Sequence, residues 1–184
     1  MSELRLPRNV RIGAGSQITG DHWTRDQVFR KFKSNLDPGL TIGRGCLLDG
    51  VLFNVGERGC VSIGDECRLE EVFLISELLI RIGSGVVIGW RATIVDSDFH
   101  PVAPRERAID VVAISPLHRG TARPPATCKS VIIEDDAWIG PNVTILKGVT
   151  IGAGAFIEPG AVVVRDVPAR CRVLGNPAQV IGQV

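Results

Sequence analysis

The sequence predicts an all-β solenoid, a single domain over 1–184 made of stacked, very short strands with one long loop ejected from the stack. Three observations predict it. From Ile133 onward a branched aliphatic residue stands at every sixth position: Ile133, Ile139, Ile145, Ile151, Ile157 and Val163. That period fits neither the helical repeat of about 3.6 nor the strand repeat of two, so the segment must be a coil of short strands. The same grammar recurs upstream at Ile12-Gly13, Ile42-Gly43, Ile63-Gly64 and Ile82-Gly83. Finally, 184 residues with 45% hydrophobic content suffice for one continuous core.

The elements follow in order. The start, Met1-Ser2-Glu3-Leu4-Arg5, lacks the apolar run of a signal peptide, and no stretch approaches the roughly 20 apolar residues of a spanning helix, so a cytoplasmic protein is expected. After the first turn at Ile12 the repeat lapses between Gly20 and Pro38. There His22, Trp23, Phe29 and Phe32 form a short helix or aromatic flap that covers the open end of the core. Intervals of 21 and 19 residues between Ile42, Ile63 and Ile82 imply coils of about 18 residues with one to three inserted each. Ile82, Ile88 and Ile94 restore strict phase and complete one coil before Asp96.

The second lapse, about 96–130, holds Pro101, Pro104, Pro116, Pro124 and Pro125, which argue against a long helix or a central strand. A loop that the scaffold does not require is a functional suspect. Beyond it, three hexads closing a triangular coil would stack Ile133 over Ile151, Ile139 over Ile157 and Ile145 over Val163. Ala137, Val143, Val149, Ala155, Ala161 and Val167 fill the smaller inward places.

Composition limits the partners. Lys plus Arg less Asp plus Glu is 21 − 20 = +1, so no general field recruits nucleic acid or an anionic membrane. Five cysteines without a CxxC pair read as reduced thiols, with Cys46 and Cys67 in core places of the repeat. Chemistry is sought instead at the break. His100 sits in Asp96-Ser97-Asp98-Phe99-His100-Pro101, where imidazole can take a proton from a hydroxyl and Asp96 or Asp98 can fix its tautomer. A solvated loop histidine among turn-forming aspartates is the plain alternative.

These residues, with Ala137-Trp138-Ile139-Gly140-Pro141-Asn142-Val143 and Gly175-Asn176-Pro177-Ala178-Gln179-Val180-Ile181, make the chain resemble the hexapeptide-repeat acyltransferases of the left-handed parallel β-helix class. Within it the chain is most similar to the maltose, galactoside and Nod-factor O-acetyltransferase branch, above all over 82–181. The resemblance implies a homotrimer with sites between subunits, acetyl-CoA as acyl donor, no metal, and His100 as the base for a small hydroxyl-bearing acceptor such as a sugar. It implies a donor-lining set of Trp138, Gly140, Pro141, Pro159, Val164, Arg165 and Gln179. The chain departs from the pattern at Pro159, Val164 and Gln179, which lack an N–H, a hydroxyl and a basic group. Trp138 flanks the pantetheine arm or fills a subunit interface.

For the acceptor, the place of a sugar-binding Asn falls on Glu70 when counted from Ile63 and on Leu69 when counted from Ile82. Glu70 or Glu71 is therefore the candidate. Arg105, Arg107, Arg119 and Arg123 make the long loop basic, which suits a phosphorylated or carboxylated acceptor as well as plain solvation. Cys128 is the least scaffold-like thiol, and ranks below direct transfer as a nucleophile. His22, His100 and His118 lack the His-x4-His spacing of a γ-class carbonic anhydrase. A serine acetyltransferase would carry a large helical region before the coils. The alternative of another class is a non-catalytic β-helix scaffold or assembly subunit.

Overall fold

The computed structural model describes residues 6–20, 27–115, 117 and 120–184. Met1–Arg5, His22, Trp23, Pro116, His118 and Arg119, used in the sequence reading, lie outside the described residues. Short strands follow one another in sets of three. They are β1 (Val10–Ile12) and β2 (Gln17–Thr19), then β3 (Leu40–Ile42), β4 (Leu47–Asp49) and β5 (Leu52–Val55). Next come β6 (Val61–Ile63), β7 (Arg68–Glu70) and β8 (Phe73–Ser76), then β9 (Ile80–Ile82), β10 (Val87–Ile88) and β11 (Thr93–Val95). After the long loop stand β12 (Val131–Ile133), β13 (Trp138–Ile139) and β14 (Thr144–Ile145), then β15 (Thr150–Ile151), β16 (Phe156–Ile157) and β17 (Val162–Val163). The last two are β18 (Cys171–Gly175) and β19 (Ala178–Gln183).

Each complete set adds one strand to each of three sheets. The first sheet runs β1-β3-β6-β9-β12-β15, the second β2-β4-β7-β10-β13-β16-β18-β19 and the third β5-β8-β11-β14-β17. Pairing is parallel throughout, except that β19 folds back antiparallel on β18. The expected stacking is observed: Ile133 pairs with Ile151, Ile139 with Ile157 and Ile145 with Val163. All six are buried, as are the smaller residues from Ala137 to Val167 at the next inward places, and the two cysteines assigned to the core, Cys46 and Cys67.

The Ile-Gly pairs have a steric cause. A Cβ on Gly64 would lie 2.6 Å from the backbone carbon of Gly83, and one on Gly13 would lie 2.5 Å from that of Gly43. At these two rungs the next rung's backbone comes too close at this corner for a side chain.

The first set lacks a strand in the third sheet, and 28–32 takes its place. Phe32 bridges to Val55 in parallel, Phe29 stacks on Phe53 at 5.6 Å, and Val28 is fully buried. Val28, Phe29 and Phe32 thus supply apolar packing against the third sheet between Gly20 and Pro38.

The long loop holds one short helix that the sequence did not announce, α1 (Pro104–Ala113), with Pro104 in its first turn and Glu106 beside it. Proline lacks the amide that would be unbonded there anyway, so it starts this helix instead of preventing it.

Candidate functional site

The loop leaves and re-enters at the corner between the third and first sheets, and its two ends are zipped together. Ser97 and Cys128 form an antiparallel bridge, the Asp98 amide donates to the Thr127 carbonyl (3.0 Å), and the Lys129 amide donates to that of Asp96 (2.8 Å). Asp96 is fully buried. Its carboxylate accepts from Ser76 Oγ (2.8 Å) and from the amides of Glu77 (2.8 Å) and Leu78 (2.9 Å). That set fixes the preceding corner and is a structural task.

Asp98 is engaged elsewhere too, with Lys147 Nζ at 2.6 Å, while its carbonyl accepts the His100 amide at 2.6 Å. Neither aspartate expected to fix the tautomer pairs with the ring. The residue that does is Asp110, on α1, whose Oδ2 lies 2.5 Å from His100 Nδ1. Asp110 is the one fully buried residue of that helix. Arg123, on the returning arm, donates from Nε to Asp110 Oδ1 (2.6 Å) and from Nη2 to Oδ2 (3.2 Å) and to the Phe99 carbonyl (3.2 Å).

Electrostatics fix the proton. The Arg123 hydrogen bonds first, and that of His100 after them, hold the Asp110 carboxyl below the ordinary carboxylate range against the cost of burial. An ionised carboxylate only accepts, so Nδ1 carries the hydrogen and Nε2 the free lone pair. His100 is 44% exposed, so a partner from outside can reach that ring. The arrangement Arg123, Asp110, His100 can therefore take a proton at Nε2 and stabilise the imidazolium formed.

Of the three relay residues the sequence singles out His100 and, for its charge, Arg123, but not Asp110. Its only trace is a carboxylate on the apolar stretch Ile109-Asp110-Val111-Val112.

A cavity of about 580 Å³ opens beside the relay and shares Phe99 and Arg123 with it. Cys128 also lines it. Burial, and then the charges of Asp96 and Glu77, push its thiol up, which opposes a thiolate nucleophile.

The remaining candidates fall in two places. Val164 and Arg165 follow β17 at the same corner as His100, two rungs further on, and both are exposed. Gly140, Pro141 and Pro159 lie at the corner between the second and third sheets. A Cβ on Gly140 would meet Pro159 N at 2.7 Å, so this glycine has a packing reason of its own. Trp138 stacks on Phe156 at 4.2 Å, with the Arg172 guanidinium over the same ring at 5.4 Å. Gln179 is exposed on β19, opposite Leu174.

The slip around Glu70 is resolved, because Leu69 pairs with Ile88 and so holds the inward place. Glu70 pairs with Arg68 and Glu71 faces Arg91, both at the corner between the second and third sheets. One chain does not bring them to His100. Among the described residues no group of three or more His, Cys, Asp or Glu is placed to hold a metal ion, and no helix is long and apolar enough to cross a membrane.

Comparison with known proteins bears on this geometry. Residues 130–165 match the family model for the bacterial transferase hexapeptide (six repeats). A 2,3,4,5-tetrahydropyridine-2,6-dicarboxylate N-acetyltransferase of Staphylococcus aureus (strain JH9) is 52% identical over 64 residues, 35% of this chain and 26% of that enzyme. The chain thus spans about a quarter of the length of the curated relatives it matches. The hexapeptide-repeat-containing acetyltransferase of Vibrio cholerae O1 biovar eltor, complexed with acetyl coenzyme A, aligns over 94% of this chain and 70% of its own at 24% identity and a TM-score of 0.57. Galactoside acetyltransferase in complex with coenzyme A aligns over 94% and 64% at 17% identity and a TM-score of 0.56. At such identities the likeness is one of fold. The chain carries hexapeptide repeats over 130–165 and has the fold of the hexapeptide-repeat acetyltransferases, maltose and galactoside enzymes among them.

Proposed function

We propose that this chain is an acetyl-CoA-dependent acetyltransferase of the left-handed parallel β-helix class, transferring acetyl directly to a hydroxyl of a sugar or related small acceptor with His100 as general base. The observation that carries the reading is the Arg123–Asp110–His100 relay, built at the point where the long loop breaks the repeat. Acetyl-CoA supplies an activated acetyl group as a thioester. His100 Nε2 takes the acceptor proton as the acceptor oxygen is acetylated, holds it, and returns it to the departing sulfur. Asp110 offsets the ring charge in between and Arg123 keeps Asp110 ionised. Asp98 acts at one remove, by fixing the turn that carries His100, and Asp96 by fixing the corner at Ser76–Leu78 beside it.

For the donor, Trp138 offers a rigid aromatic wall on Phe156, and Arg165 a cation for phosphate. The separation of Trp138, Glu70 and Glu71 from His100 within one chain supports a homotrimer, in which one copy's second-to-third corner meets another's His100. An amine acceptor is the second reading, favoured by the N-acetyltransferase relative.

Turnover of acetyl-CoA against matched hydroxyl and amine acceptors tests the proposal. Hydroxyl acceptors are expected to be acetylated. Turnover with amines alone would select the second reading, and no acetyl transfer to either would refute both.

A further inference from the structure

The cavity beside His100 has a charge pattern that the base does not need. At about 580 Å³ it is within the range of small-molecule sites. Its walls come from the third-to-first corner of the rungs before the base. Lys33, Glu57, Arg58 and Glu77 line it, and Phe99 and Arg123 close it toward His100. Arg123 is committed to Asp110. Lys33 and Arg58 are not: among the described residues neither has a carboxylate within ion-pair distance.

Their charges nonetheless converge. Burial pushes the Glu77 carboxyl up, and Arg123, Arg58 and Lys33 all pull it back down, so the three cations act on one small volume. Glu77 is held over Gly56, where an added Cβ would lie 2.1 Å from its Oε2. Two cations therefore face the cavity without an ion-pair partner, and the side nearest the base is walled by Phe99, which precedes His100, and by Arg123.

We infer that the acceptor carries an anionic group, a carboxylate or a phosphate, seated by Lys33 and Arg58, which turns its hydroxyl or amine toward His100. This rests on the proposed acetyl transfer for the identity of the base. The anion is assigned to the acceptor and not to the donor because Val164 and Arg165, the donor candidates at this corner, lie on the opposite side of His100 along the stack. A guanidinium fork beside an ammonium suits either anion.

Equilibrium binding to the full chain tests this apart from catalysis. The probes are inorganic phosphate and malonate, with glycerol as the neutral control. At least one anion is expected to bind and glycerol not to bind, and which anion is preferred distinguishes phosphate from carboxylate. Lys33→Met and Arg58→Met, singly and together, should weaken that binding at least tenfold at unchanged melting temperature, while His100→Ala retains it. Binding of neither anion, or binding that survives the double substitution, overturns the assignment. An inactive protein that still binds the anion through Lys33 and Arg58 refutes the transfer reading and supports the subsite. In an active protein the same substitutions should raise KM for a charged acceptor at least tenfold. A rise in KM for acetyl-CoA instead would overturn the assignment.

Discussion

At the residue scale the account turns on Asp110. Replacing it with Asn keeps the shape of the side chain but removes the charge, and lets the ring adopt the wrong tautomer. Asp110→Asn is expected to lower kcat by tenfold or more, with the circular dichroism spectrum unchanged. An undiminished kcat would show that the relay is not used. The depressed carboxyl also sets a pH dependence. Its contribution to stability is complete above the ordinary carboxylate pKa of about 3.9 and is lost as pH falls through the lower folded value. Melting temperatures from pH 6 downward should fall more steeply for the wild type than for Asp110→Asn, and only below about pH 4.

At the scale of elements the hexads explain both what could be read and what could not. Each six-residue unit contains its strand, its inward aliphatic residue and its turn, so its structure is a local property of the sequence. Ile139→Ala removes a fully buried residue stacked between Ile88 and Ile157 and should cost about 2–5 kcal/mol in denaturant unfolding. Gly64→Ala drives a methyl into the Gly83 backbone and should cost about 1–3 kcal/mol. Upstream, only five residues separate the inward Leu69 and Leu74, against six for Ile88 and Ile94. With eight residues from Leu74 to Ile82, the coil is short at one corner and long at the next, so counts from its two ends disagree over Glu70. The helix α1 is hard to read because the prolines that bar a long helix here include Pro104, which at a first turn starts a short one. Asp110 was illegible because its burial depends on Arg123, thirteen residues on, and no periodicity encodes that pairing. His100 was legible as a candidate base, since the repeat breaks at Asp96, just before it.

At the scale of the whole molecule the stack is a ruler that sets the site's parts at fixed heights. The cavity lies on the rungs before His100, Val164 and Arg165 lie after it, and Pro141, Pro159, Glu70 and Glu71 occupy another corner. Phe73, Leu146 and Val164 remain exposed on or beside the third sheet, an apolar surface suited to a second copy. The proposed homotrimer predicts a solution mass of three chains by light scattering, and a monomeric mass would remove the composite site. A scaffold without catalysis would share every feature of the stack, and would differ in what happens when the base is removed. The decisive measurement is therefore kcat for acetyl transfer in His100→Ala beside the wild type, at equal melting temperature. The account predicts a loss of at least about a hundredfold. Turnover that survives nearly intact would contradict it.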